Sequence, residues 1–508
     1  MKNKLLLLMS SLLISSSTAY AIDISKAPKM KMTAETPAGL ITPNHMQTRI
    51  GELNSDDGVP TVKTAEIIYD NLDFMHGVTS FLSGIQIASM EAMRKGIVSY
   101  GPPNKTVLLF EELMDSKALF LTPNTTSVYM MMWLELKDEP YVLETPADVL
   151  GIIDDHWFKY VADFGRLGDD KNKGGKFLIV PPGYKGKIPE GYIVKHTNTY
   201  GNWIIWRGFQ KDGSPKPAID LTKKVFKSYP LSQAGKNPPS VKFVNVSGKF
   251  LNTIHNMDFT IYDEINAVVQ SEPGFGQDPE ILGYLASIGM EKGKEFKPDA
   301  RMKKILIESA KVASVTVRTL ISRPRDEAFL LFPKDSKVWT NPFVGGSYQF
   351  EVNDVSLLDG RAAFHFYATG ITPAMAKKFV GKGSKYAVAY LDKDMNPLDG
   401  SKTYKVRLPA NVPAKDFWSF TLYNNQTRSM LQTDQRFPGL DQNKKGLKIN
   451  KDGSVDVYFG PKAPKGYENN WIQTVPHRGW NMLFRVYGPL DPWYDKTWFP
   501  GDPVLVKQ

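Results

Sequence analysis

YVLETPADV, residues 141–149, returns as YKVRLPANV, residues 404–412. The segments after each copy keep one order. After the first come HWFKYVADF (156–164), GKFLIVPPG (175–183), IPEGY (188–192) and GNWIIWRGF (201–209). After the second come DFWSFTLYN (416–424), GSVDVYFGP (453–461), APKGY (463–467) and GWNMLFRVY (479–487). A P-A-(D/N)-V turn, a tryptophan-bearing strand, a glycine-led strand, a P-x-G-Y turn and an aromatic strand ending in arginine therefore occur twice. Self-similarity in a fixed order marks a repeated architectural unit. It predicts two related β domains, with Tyr129 ahead of the first turn as Tyr386 is ahead of the second.

The runs around these turns read as strands. VYMMMWLEL, FLIV, YIVKHT and WIIWRGF in the first half are short, aromatic and β-branched, as are YQFEV, AAFHFYA, YAVAYL, FWSFTLY and WNMLFRVYG in the second. Two stretches have helical spacing instead. Ile68, Leu72, Met75, Val78, Leu82, Ile85 and Met93 recur at three- and four-residue steps from Thr64 to about Tyr100. Gly77 and Gly84 weaken that helix, each by about 1 kcal/mol against alanine. DPEILGYLASIG begins with a capping aspartate and a first-turn proline, Asp278 and Pro279, and stops at Gly289. The expected fold is mainly β with helical insertions. Its expected segments are 1–21, a signal peptide; 22–63, a mobile lead-in; 64–104, helical; 105–257, a first β domain; 258–337, helical; and 338–508, a second β domain.

The N-terminus is an address. Lys2 and Lys4 precede an apolar run, Leu5 to Ile14, and Ala19-Tyr20-Ala21 forms an A-x-A cleavage pattern. A periplasmic or secreted protein cut after Ala21 is expected, with no later run of about 18 apolar residues to span a membrane. Cysteine is absent, which excludes disulfides, thiolate metal sites and cysteine nucleophiles. The net charge is +10 and drops to +8 when Lys2 and Lys4 leave. That excess is dispersed, so a solvated surface is expected and no nucleic-acid partner.

TPNTTSVY and YVLETP together with LDGSKTYKVRLP, KDFWSFTLYNNQT, NKDGSVDVYFGP and NMLFRVYGP resemble bacterial exported proteins that pair two domains of unknown function, 1254 and 1214. The resemblance covers about residues 64 to 490. It implies an immunoglobulin-like sandwich, a small helical domain and a jelly-roll-like C-terminal domain, and it brings no activity. That family often carries Asn-Asn-Asp-Thr-Leu-Tyr. Here Thr125 and Thr126 take the second and third places, so the carboxylate is missing.

Candidate chemistry lies in the polar clusters. The chain has no G-x-S-x-G elbow, G-x-G-x-x-G or phosphate loop, so neither a serine hydrolase of that type nor a nucleotide cofactor is expected. Histidine–carboxylate neighbours occur at DDHW (154–157) and HNMD (255–258); a metal held through His156, His255 and Asp258 is left open, and no metal or cofactor is assigned. The first reading is a hydrolase-like cleft between the β domains. Asn124, Thr125, Thr126 and Tyr129 would bind substrate on one wall, with Trp471 on the other. His477 would do acid–base work and Arg485 would hold an oxyanion. The second is a non-catalytic module binding an envelope polysaccharide or an apolar small molecule. The third is a homo-oligomer assembled through the tryptophan-rich tail, LDPWYDKTWFPGD (490–502), whose plainer role is a clasp on its own sheet.

Overall fold

A computed structural model describes residues 26–506. The signal peptide expected at 1–21 lies outside the described residues. The chain divides into two compact units, one up to Met75 and one from His76 onward. In the first, strands β1 (His45–Thr48), β2 (Gly51–Asp56) and β3 (Val59–Pro60) form a small antiparallel sheet within the segment expected as a mobile lead-in. Its turns use Gly51, Asp57 and Gly58 at positive φ. Helix α1 (Val62–Val98) begins in this unit and ends in the second.

Among the described residues the fold has several sheets and eight helices, 26% helix and 28% strand. The second unit opens with β4 (Thr106–Leu109), β5 (Ala118–Leu119), β6 (Ser127–Glu135), β7 (Tyr141–Thr145), β8 (Val149–Asp155) and β9 (Tyr160–Gly165). Then come β10 (Gly175–Val180), β11 (Ile193–His196), β12 (Gly201–Phe209), α2 (Lys216–Val225), β13 (Lys227–Pro230), β14 (Lys242–Asn245) and β15 (Leu251–Asn252). Helices α3 (Ile261–Ser271), α4 (Pro279–Ser287) and α5 (Ala300–Ser322) follow. A hairpin of β16 (Glu351–Val352) and β17 (Val355–Ser356) leads to α6 (Leu358–Tyr367) and α7 (Pro373–Ala376). The last strands are β18 (Ser384–Ala389), β19 (Tyr404–Leu408), β20 (Ala414–Asn424), β21 (Gly439–Asp441), β22 (Val455–Gly460), β23 (Trp471–Gln473) and β24 (Trp480–Pro489). The short α8 (Asp491–Tyr494) and β25 (Val504–Leu505) end the chain.

The two strand-rich regions are wired alike. One sheet runs β14-β4-β6-β12-β8-β9 and its companion β11-β10-β7-β13; later in the chain the orders are β18-β24-β20-β21 and β23-β22-β19-β25. Strands β6 to β13 thus correspond, one by one and in chain order, to β18 to β25. Directions agree as well: β10 and β11 are parallel, as are β22 and β23, and the other corresponding pairs are antiparallel. This wiring corrects one equivalence drawn from sequence. The partner of β20 is β8, so Trp418 within β20 has no counterpart in Trp157, which lies in the turn after β8.

Each pair of sheets encloses an apolar core. Met130, Met132, Ile153, Phe164, Phe177 and Trp206 fill the first, and Val406, Phe420, Phe459, Met482 and Phe484 the second. Alternate residues of the same strands face a third, shared core. There Trp133, Ile152 and Trp203 meet Tyr386, Tyr423 and Leu483, together with helices α1, α3, α5 and α6. Strands such as β6 are buried on both faces, which is why VYMMMWLEL reads as one apolar run without alternation.

The helices need their glycines. A Cβ at Gly77 would sit 2.5 Å from Ser309 Oγ and one at Gly84 2.3 Å from Ile265 Cδ1, so both residues let neighbouring helices approach α1 closely. The cost to helix propensity is offset by packing. Asp278 and Asp299 cap α4 and α5 by accepting from the backbone of Glu280 and Met302. AAFHFYA, expected as a strand, is helical within α6. Ala362 to Tyr367 are all buried, so no polar face discloses the helical period.

Candidate functional site

A narrow cavity of about 70 Å³ opens into the shared core. The two inner sheets meet it through β6, β8 and β12 on one side and β18 and β24 on the other; the loops at 120–124 and 342–343 and helix α6 complete it. Most of the lining is apolar: Phe120, Ile152, Trp203, Ile205, Phe343, Phe364 and Leu483. Pockets of this kind, apolar with a few convergent polar groups, are where small ligands bind.

Two arginines supply the charge. Arg207 stands opposite Tyr129 in the pairing of β12 with β6, and Arg485 opposite Tyr386 in the pairing of β24 with β18. The two Tyr–Arg pairs are therefore the same register position of the repeated wiring, and all four side chains line one cavity. Arg485 donates to the Thr421 hydroxyl (3.0 Å), the Tyr423 hydroxyl (2.7 Å) and the Thr122 carbonyl (2.7 Å), all neutral groups. Arg207 has no hydrogen-bond or ion-pair partner among the described residues, and its ionisable neighbours include Tyr129, Tyr386, Tyr487 and Arg485. No aspartate or glutamate is among the lining residues. An adjoining smaller cavity, which Arg207 also lines, contains one carboxylate, Asp163; it accepts from the Thr372 hydroxyl (2.6 Å), and burial pushes it up to about 7, towards the neutral form. Guanidinium stays charged at any ordinary pH. The cavity thus concentrates uncompensated positive charge. Two further lining donors, the Trp203 indole N–H and the Thr369 hydroxyl, are buried without a partner.

The sequence-selected residues divide. In the turn at 122–129, Asn124 Oδ1 accepts from the backbone N–H of Thr126 (3.0 Å) and Ser127 (2.9 Å), while Asn124 donates to the Tyr129 hydroxyl. Asn124, Tyr129 and Arg485 line the cavity together. Thr126 meets the Tyr487 hydroxyl at 3.3 Å, and Thr125 lies against Gly439. His477 and Trp471 are not in the lining. His477 is exposed on a turn at φ 61°, with its backbone N–H bonded to Ser401 Oγ, and the Trp471 indole donates to the Gly460 carbonyl. Arg207 is the member that sequence reasoning missed, although the second arginine-ended strand of the repeat pointed at its twin.

The histidine clusters are occupied by other work. The His156 ring is fully buried between Glu272 (2.8 Å) and Glu91 (3.4 Å). Burial disfavours its charge, but bonds to the two carboxylates outweigh this and raise its pKa. His255 meets Arg428 at 2.9 Å, while Asp258 is exposed and bonded to Thr260. The tail tryptophans Trp493 and Trp498 are buried in the chain's own second core.

Comparison with known proteins gives no activity. No curated protein matches the chain. A crystal structure of the VPA0106 protein from Vibrio parahaemolyticus is similar in fold, with a TM-score of 0.53 at 20% identity, over 86% of this chain and 100% of that one. A putative uncharacterized protein from Burkholderia cenocepacia aligns over 86% of this chain and 96% of its own, at 14% identity and a TM-score of 0.39. Two family models match, both described as proteins of unknown function: 1254 at residues 104–230, which contain Tyr129 and Arg207, and 1214 at residues 383–491, which contain Tyr386 and Arg485. The chain is thus one that pairs domain of unknown function 1254 with domain of unknown function 1214.

Proposed function

We propose that the protein binds a small organic anion with an apolar body in the cavity between the two inner sheets. One observation carries this: two arginines face an apolar cavity whose lining has no acid to neutralise them. Arg485 is buried and Arg207 half-buried, and charge withdrawn from water is costly unless compensated, so the free protein leaves room for an anion to supply that compensation. Binding is favoured here over the hydrolase-like reading, because the lining holds neither histidine nor carboxylate to move a proton. A thermal-denaturation screen of organic acids against the alcohols of the same carbon skeleton tests it. The acids should raise the melting temperature and the alcohols should not. Equal shifts from both would refute the reading.

Each paired-sheet region is further proposed to be a two-sheet sandwich, in place of the separate immunoglobulin-like and jelly-roll-like folds that the resemblance implied; the shared strand order supports one topology for both. The protein is proposed to act in the periplasm or outside the cell, on the strength of Lys2, Lys4 and the Ala19–Ala21 pattern. N-terminal sequencing of the protein from a periplasmic fraction should begin at Ile22.

A further inference from the structure

The duplicated Tyr–Arg pair constrains the ligand's head group. We infer that both arginines close on one anionic group carrying two negative charges, a phosphate monoester in chemical class, while its organic substituent lies among the aromatic side chains. The inference rests on the anion-binding reading above and adds the charge and shape of the head.

The two guanidinium groups belong to one cluster. Arg207, Arg485, Tyr129 and Tyr386 line the same cavity, the Arg485 guanidinium carbon lies 5.9 Å from the centre of the Tyr386 ring, and Tyr129 and Tyr487 are charge neighbours of both arginines. Two separate anionic groups at opposite ends of a ligand would call for two separated cations. A single head set among shared tyrosines fits what is present. Charge balance then selects its valence. A carboxylate or sulfonate would leave one positive charge uncompensated in a largely apolar enclosure. A phosphate monoester, close to dianionic at neutral pH, compensates both. Its three terminal oxygens also match the donors available. Arg207 has all of its N–H groups unspent, while the tyrosine hydroxyls and the free Thr369 hydroxyl can turn to donate. Guanidinium suits this task because its planar fork binds phosphate oxygens in pairs. Trp203, Phe120, Phe343 and Phe364 offer faces and edges to an apolar or aromatic substituent.

Five probes separate the contributions when titrated calorimetrically into the full mature chain at pH 8. Benzyl phosphate is a tetrahedral dianion, phenylmethanesulfonate a tetrahedral monoanion, phenylacetate a planar monoanion and benzyl alcohol the neutral body. Inorganic phosphate is the head without the body. Benzyl phosphate should bind at least tenfold more tightly than the sulfonate, phenylacetate or inorganic phosphate, and the alcohol should not bind. Arg207→Met should erase the preference over the sulfonate while retaining a cooperative melt, and Arg207→Lys should keep part of it. If the sulfonate or phenylacetate binds as tightly as benzyl phosphate, the dianionic head is wrong and anion binding stands. If no anion binds, both readings fall.

Discussion

Arg207 is the residue on which the cavity's chemistry turns, and its energetics and its role pull in opposite directions. Burial and the nearby Arg485 disfavour its charge, the tyrosines around it offset this and raise its pKa, and no hydrogen-bond or ion-pair partner completes the compensation. Arg207→Met keeps the length and removes the charge. It is expected to stabilise the unliganded protein by about 1 kcal/mol while erasing the preference for a dianionic head. Urea denaturation in the presence of benzyl phosphate, of phenylmethanesulfonate and of neither measures both effects, and a destabilised variant that keeps the preference would contradict the account. Asn124 works the other way. Its Oδ1 accepts two backbone N–H groups of the turn, so Asn124→Ala should cost about 2–3 kcal/mol, whereas Asn124→Asp, which keeps the acceptor, should cost much less. Equal losses in the two variants would show that the turn is held by something else. The sequence exposed Asn124 because TPNTTS has no counterpart ahead of Tyr386. It could not expose the emptiness around Arg207, which depends on what other strands bring nearby. His477 drew attention as a residue type suited to acid–base work, but residue type says nothing of place.

Elements carry their own legibility. Strands β6, β12 and β24 were readable as apolar runs, and the punctuation of α4 was readable residue by residue, because caps and turn glycines act locally. Helix α6 was not, since burial on every side removes the periodic contrast that identifies a helix. Nor could the glycines of α1 be valued from propensity alone, as their reason is another helix. Gly151 in β8 is a sharper case: a Cβ there would fall 2.3 Å from the Phe164 ring, which packs on Phe177 and Trp206. Gly151→Ala should therefore cost about 2–3 kcal/mol, read as a lowered denaturation midpoint with an unchanged slope.

Across the whole molecule, buried acids set the response to pH. Burial pushes Asp155, Asp163 and Glu264 to about 7, so the folded chain holds protons there that the unfolded chain has released. Their contribution is complete below about 4 and lost as pH rises towards 7. His156, with its raised value, likewise loses its contribution on the alkaline side. Glu91, where the bonds to Arg94 and His156 outweigh burial and bring it down to about 2, contributes above its ordinary value and is lost in acid. Melting should be higher at pH 5.5 than at pH 8, with Asp163 alone accounting for about 2 kcal/mol. In Asp163→Asn the slope should flatten; an unchanged slope would assign the effect elsewhere. The same scale explains why the repeat was visible while its meaning was not. Eight strands recur in order, yet only their pairing brings Tyr129 with Arg207 and Tyr386 with Arg485 around one space. That shared space has a consequence for inheritance. Each strand-rich region contributes one arginine and one tyrosine, so a gene that lost or exchanged either half would lose the cavity along with it. Selection for a ligand held there would then act on the seam between the two regions, which neither half can supply alone.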